Sequence, residues 1–309
     1  MKRIVRNLPN AEYHAGEEIS HSGIVQLLKS PEHYLQYKKG SHAPTTAMEF
    51  GSAFHAFILE PALFNEEYSF VDETLLAGTL ATMDDYKAAA TQLGVKFETL
   101  NKDELKLAIK AADTESKFKF REDEFDRLYG GKIILKPEQM RDLAAMRASL
   151  LNHAGAAELL SHGEAETSLF WTDEITGLAC RIRPDWMFGG GIADLKSCIN
   201  ASKDSFANVV ANLGYDVEAA FYIDGVKAVT GKAVNFYFLA VEKTAPFSTA
   251  CYMASQEMIE VGRAKYRGGL ELLKWCQDKQ KYPGYQPGGE IETIDLPRWA
   301  ANFDLEVEA

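Results

Sequence analysis

The sequence predicts an α/β fold, a mixed central sheet flanked by helices, with a helical N-terminal region ahead of it. Three observations predict it. From Glu164 onward the pattern changes from helical to strand-like, with β-rich runs over 166–172, 177–186 and 192–196. Two further strand patterns, 233–241 and 248–253, follow a helical stretch at about 217–229. Helical patterns fill most of the first 160 residues and return over 256–280. Strands with helices before, between and after them describe a helix-covered sheet.

The elements can be justified in order. Ser20-His21-Ser22 reads as a cap ahead of Gly23 to Leu28, and Ser30-Pro31 restarts the chain into Glu32 to Tyr37. Residues 47–59 form a strongly apolar helix that stops at Glu60-Pro61, with Gly51, His55 and Leu59 on one face. A short strand is expected at 68–71. Residues 84–160 read as charged helices with turns near Asn101, Gly130-Gly131 and Pro137, and Lys117 to Gly131 as a polar surface loop or arm. The run 177–186 reads as one strand with Arg181, Arg183 and Asp185 on one face. Phe188 to Gly191 is the loose turn of an antiparallel hairpin into the next strand. The chain reads as one domain over 1–309: a mainly helical part to 160, a sheet core over 164–255, and a C-terminal helix and tail.

Composition sets bounds on function. Hydrophobic residues make up 46% of the chain and charged residues 25%, as in ordinary soluble domains. No run approaches the ~20 apolar residues of a membrane span. The start, Met1 to Asn7, is basic but has no apolar stretch behind it, so a secretory signal is not expected and a cytoplasmic protein is. Cys180, Cys198, Cys251 and Cys276 form no C-x-x-C pair, which argues against structural zinc or an iron–sulfur cluster. Cys180 and Cys198 read as small buried hydrophobes. The net charge of −12 argues against a nucleic-acid coat protein. It leaves room for a local basic channel, with Lys29, Lys38, Lys39, Arg181 and Arg183 as candidates.

The chemistry centres on Arg183-Pro184-Asp185 and Asp194-Leu195-Lys196. Two carboxylates can hold a hard divalent cation, and a lysine beside them can orient or activate water. Burial beside a metal is expected to lower the Lys196 pKa toward a base role. An isolated D-x-K is more often a solvated pair, so the neighbours matter. His55 lies among small residues, and with Asp185 and Asp194 it completes a set suited to Mg²⁺ or Mn²⁺. Glu166 reads as a supporting acid, a ligand of a second ion, or a plain strand-end glutamate. Glu218 and Tyr222 share a helix face at i, i+4, where a tyrosine can bond a phosphate or the attacking water.

In this order, Gly51 to His55, Glu166, Arg183-Pro184-Asp185, Asp194-Leu195-Lys196 and Glu218 to Tyr222 resemble the RecB-like branch of the PD-(D/E)XK nucleases, and within it the RecE-type exonucleases (exodeoxyribonuclease VIII). Ile19 to Gly23, Ser30 to Tyr34, Leu59-Glu60-Pro61 and Glu166 to Trp171 extend the resemblance over residues 17–245. It implies a restriction-endonuclease-like core and Mg²⁺-dependent degradation of linear double-stranded DNA from 5′ to 3′. It further implies a RecT-like single-strand-annealing partner, a ring-shaped homo-oligomer with a tetramer favoured, and a bacterial or phage origin. By position it makes His55, Asp185, Asp194 and the Leu195 carbonyl metal ligands and Lys196 the catalytic lysine, with Glu166, Glu218 and Tyr222 beside them. The family pattern has glutamine where this chain has Glu218, and an ionised glutamate only accepts hydrogen bonds. Two alternatives stay open: a related RecB-like or Cas4-like nuclease of other polarity, and a weakly catalytic scaffold that binds DNA ends.

Overall fold

The computed structural model describes residues 2–40 and 45–297. The chain opens with β1 (Lys2–Val5) and the short helix α1 (Asn10–Ala15). Helices α2 (His21–Lys29) and α3 (Pro31–Lys39) follow, and both caps fall where the sequence places them. Ser20 accepts from the Gly23 N–H, and Ser30 accepts from the His33 N–H. Helix α4 (Thr46–Leu59) ends at Glu60, and Pro61 starts α5 (Pro61–Glu67), where proline needs no N–H.

A helical insertion comes next. β2 (Tyr68–Phe70) pairs in parallel with β3 (Ile133–Leu135) and brackets α6 (Met83–Leu93), α7 (Lys102–Ala112) and α8 (Arg121–Tyr129). The loop expected over Lys117 to Gly131 is therefore corrected: it contains α8. Glu122, Asp123 and Glu124 favour its N-terminal dipole, and Lys106 on α7 lies 2.8 Å from Asp123 and 3.0 Å from Glu122. Phe120, just ahead of it, is buried with Tyr86, Leu105 and Ile109 in a core belonging to the insertion. The polar composition was a solvated helix face, not a loop.

The sheets follow α9 (Pro137–Asn152) and α10 (Ala154–Leu160). They use β4 (Glu164–Ala165), β5 (Ser168–Thr172), β6 (Ala179–Ile182), β7 (Trp186–Phe188) and β8 (Gly191–Cys198), then β9 (Asn235–Glu242) and β10 (Thr249–Met253). Between β8 and β9 run α11 (Lys203–Leu213) and α12 (Tyr215–Thr230), and α13 (Gln256–Lys279) closes the ordered elements. The central sheet has the order β10-β9-β8-β7-β4. Only β8 and β9 pair in parallel there, so the sheet is mixed. A second sheet has the order β1-β5-β6.

One expectation fails here. The run 177–186 is not one strand: β6 belongs to the three-stranded sheet and β7 to the central one. Arg183-Pro184-Asp185 is the crossing between them, and Pro184 has no N–H to continue a ladder. A matching crossing occurs at Glu166-Thr167, between β4 and β5. The Glu166 N–H donates to the Asp185 carbonyl at 3.1 Å and ties the two crossings together.

Two cores cover the faces of the central sheet. Ile192, Phe236, Phe238 and Ala240 pack with α12 residues Val217, Ala220, Phe221 and Val226. Ala193, Leu195, Leu239 and Val241 pack on the other side with Phe54 and Leu59 of α4 and Leu143 and Met146 of α9. The strand period thus turns Asp194 and Lys196 toward α12 and Leu195 toward α4. Cys180 and Cys198 are buried, as their sequence context predicts.

Candidate metal and catalytic site

The site gathers where the chain changes sheets. Asp185 stands at the second crossing, and its Oδ2 accepts from the Leu195 N–H at 2.7 Å. The same oxygen lies 3.3 Å from His55 Nδ1, which α4 presents beside its buried Phe54. Glu166 stands at the first crossing with φ of 48°, uncommon for a non-glycine residue. Such backbone clusters at functional sites. One ligand atom each from His55, Glu166 and Asp185 lies within 4.8 Å of the others.

Glu166 is thus a full member of the tight group, and Asp194 is set back from it. Asp194 is buried, with Oδ2 2.7 Å from Lys196 Nζ. Lys196 Nζ also lies 3.0 Å from Glu218 Oε2. Neither carboxylate oxygen is aligned for a hydrogen bond, and both are fully buried. One imidazole and two converging carboxylates, with a further buried carboxylate nearby, fit a hard divalent ion.

The charges follow from this packing. Burial pushes His55 down, but the Asp185 charge and hydrogen bond outweigh it and carry the imidazole up to about 9. Glu166 rises to about 8, through burial and then the Asp185 charge. Burial pushes Asp185 up, yet His55, Lys196 and the Leu195 N–H hold it below the usual carboxylate range. For Lys196 the protein's own carboxylates act against the lowering expected beside a metal. Burial alone lowers it, but Asp194, Glu218 and Asp185 together hold the ammonium well above its ordinary value. These carboxylates hold Lys196 as a charged donor.

Tyr222 lies one turn beyond Glu218 on α12, buried, with its ring edge-on to Phe236 at 6.2 Å. Burial, then Glu218, raises its pKa well above the ordinary value. It lines a cavity of about 190 Å³ with His21, Glu166, Arg181, Arg183 and Glu218. A larger cavity of about 890 Å³ reaches Glu166 from the side of Glu60 and residues 6–10.

Arg181 and Arg183 are buried and committed to the N-terminal segment. Arg183 donates to Ser168 Oγ at 2.8 Å, Asn10 Oδ1 at 2.6 Å and the Leu8 carbonyl at 2.9 Å. Arg181 donates to the Tyr13 carbonyl, and both guanidiniums lie over the Tyr13 ring. Both side chains line the small cavity beside the site and are closed off from the outer surface. Lys29, Lys38 and Lys39 are exposed on α2 and α3.

Two residues of the site were missed in the sequence. The Tyr215 ring lies 4.4 Å from Lys196 Nζ. His21, read as part of a cap and of the Ile19 to Gly23 match but given no role, lies 3.6 Å from Glu218. Neither has a local signal, because the contacts join elements far apart in the chain.

A mixed sheet with a carboxylate–lysine strand and a preceding Pro-Asp defines a PD-(D/E)XK-like protein. The chain belongs to the family of the PDDEXK-like domain of unknown function (DUF3799), whose model matches residues 20–297. Its fold is similar to the crystal structure of the "Putative exonuclease" from Eubacterium rectale. The TM-score is 0.55 at 13% identity, covering 97% of this chain and 100% of that one. A looser match, to an alkaline exonuclease (LHK-Exo) from Laribacter hongkongensis, has a TM-score of 0.24 at 14% identity. It covers 68% of this chain and 97% of that one, and the superposition is too loose to define the fold. No curated protein matches the chain.

Proposed function

We propose that the protein is a Mg²⁺-dependent exonuclease of the RecE type. It degrades linear double-stranded DNA from 5′ to 3′ and leaves 3′ single strands for a RecT-like annealing protein. The observation that carries the metal-dependent nuclease reading is the convergence of His55, Glu166 and Asp185 within 4.8 Å, with Lys196 on the adjoining strand. Polarity, the annealing partner and a ring-shaped tetramer rest on the sequence resemblance alone. The similar structure from Eubacterium rectale is that of a "Putative exonuclease", which is in keeping with exonuclease activity.

In this reading His55, Glu166, Asp185 and Asp194, with the Leu195 carbonyl, hold Mg²⁺ or Mn²⁺. When bound, such an ion polarises the phosphate and lowers the pKa of a bound water. Lys196, held by Asp194 and Glu218, orients the attacking water and donates to the phosphate as negative charge develops. Tyr222 donates its hydroxyl to a phosphate oxygen from the small cavity. Digestion of linear and covalently closed duplexes in Mg²⁺ or EDTA tests the reading. Nucleotide release from the linear form in Mg²⁺ alone is expected. Equal attack on the closed circle refutes an exonuclease, and release in EDTA refutes the metal requirement.

A further inference from the structure

We infer that His21 is a positioning residue for Lys196, acting through Glu218. The inference rests on the nuclease reading above for its catalytic consequence, but its geometry stands apart from it. His21 begins α2, and its Nε2 lies 3.0 Å from the Gly214 carbonyl. A carbonyl only accepts, so Nε2 carries the hydrogen and the ring is pinned there. Gly214 joins α11 to α12 at φ of 73°, a conformation glycine adopts without strain, which fixes where that carbonyl points. The ring's other nitrogen, Nδ1, then stands 3.6 Å from Glu218 Oε1.

Glu218 is thereby confined from one side by His21 while its second oxygen meets Lys196 Nζ at 3.0 Å. Lys196 in turn stands between Glu218 and Asp194. The chain of contacts His21–Glu218–Lys196–Asp194 sets where the ammonium sits. Glu218 Oε2 has the Lys196 ammonium as its close partner, so where that pair sits depends also on the walls that hold the rest of the carboxylate. His21 is one of those walls, and the cavity of about 190 Å³ beside it is lined by Arg181 and Arg183. With His21 shortened, the Glu218 carboxylate gains room to swing toward those guanidiniums. Lys196 then loses one of its two close carboxylates and is drawn onto Asp194, away from its place beside the scissile phosphate.

A double-mutant cycle on the full chain tests this, with His21→Ala and Glu218→Ala made singly and together. It is read in kcat and KM on linear duplex DNA with Mg²⁺, and in the ¹⁵N signal of the Lys196 ammonium. We expect His21→Ala to lower kcat roughly tenfold with KM unchanged, and to do nothing further once Glu218 is alanine. His21→Gln, which can still donate to the Gly214 carbonyl and fill the wall, restores most of the loss. The Lys196 signal moves in His21→Ala and does not move again in the double variant. Equal fold-losses in both backgrounds, or an unmoved Lys196 signal, overturn the inference. A wild-type protein that cuts no DNA while the Lys196 signal still responds to His21 overturns the nuclease reading and leaves the positioning contact supported.

Discussion

Asp194 and Lys196 carry the sharpest residue-level expectations. Lys196→Ala removes a charged donor held by two carboxylates and leaves both buried without their cation, so we expect cleavage to fall by roughly 10²–10⁴-fold and the melting temperature to fall with it. Asp194→Ala leaves the buried ammonium with one close carboxylate, so cleavage and stability should fall together. Activity and thermal melting of each purified variant check both. Away from the site, Asp173 is buried and bonded to the Thr176 N–H at 2.9 Å, the Thr176 hydroxyl at 2.7 Å and Arg267. Burial raises its pKa, but these donors outweigh burial and hold it below its ordinary 3.8. A depressed folded pKa means its stabilisation is fully present above pH 3.8 and is lost as pH falls through the folded value. Asp173→Asn should cost about 1–3 kcal/mol at neutral pH. In denaturant titrations the gap from wild type should close in acid; a gap constant with pH contradicts this account. At this scale the meeting of His55 with Asp185 was legible from residue type and order. The weight of Glu166 was not, because it depends on a chain crossing with a positive φ, and neither was His21, whose partners lie almost 200 positions away.

At the level of elements, local pattern located most helices and strands but not the sheet to which each strand belongs. Both caps before α2 and α3, the α4 stop and the β7–β8 hairpin were readable from short-range chemistry. The break at Pro184 was not read, because alternation continues across it while the hydrogen-bond partners change. Helix α8 was missed for a related reason: its polar residues are satisfied by the lysines of α7, a tertiary fact. The position of α12 sets Glu218 and Tyr222, and α13 packs against its start. A Cβ on Gly262 of α13 would stand 2.0 Å from the Asp216 carbonyl oxygen. That atom is backbone and cannot rotate away. Gly262→Ala should therefore destabilise the protein by roughly 1–3 kcal/mol and reduce activity by shifting α12. Urea unfolding beside a kinetic assay checks this, and an unchanged midpoint contradicts the close packing.

For the whole molecule, the mixed sheet with helices on both faces agrees with the fold class read from the sequence, and the family model spans residues 20–297. The net charge of −12 sits on a protein whose site arginines are buried, while Lys29, Lys38 and Lys39 of α2 and α3 are exposed. Among the described residues no helix is long and apolar enough to cross a membrane. The central claim is metal-dependent hydrolysis of DNA from an end, with Lys196 at the reacting phosphate. Its most direct test is linear duplex DNA labelled separately at the 5′ and 3′ ends, incubated with wild type and Lys196→Ala in Mg²⁺ and in EDTA. The account predicts early release of the 5′ label by wild type in Mg²⁺ only, with the 3′ label kept on a shortening duplex. Retention of both labels by wild type in Mg²⁺, or release that survives EDTA or the loss of Lys196, would contradict it.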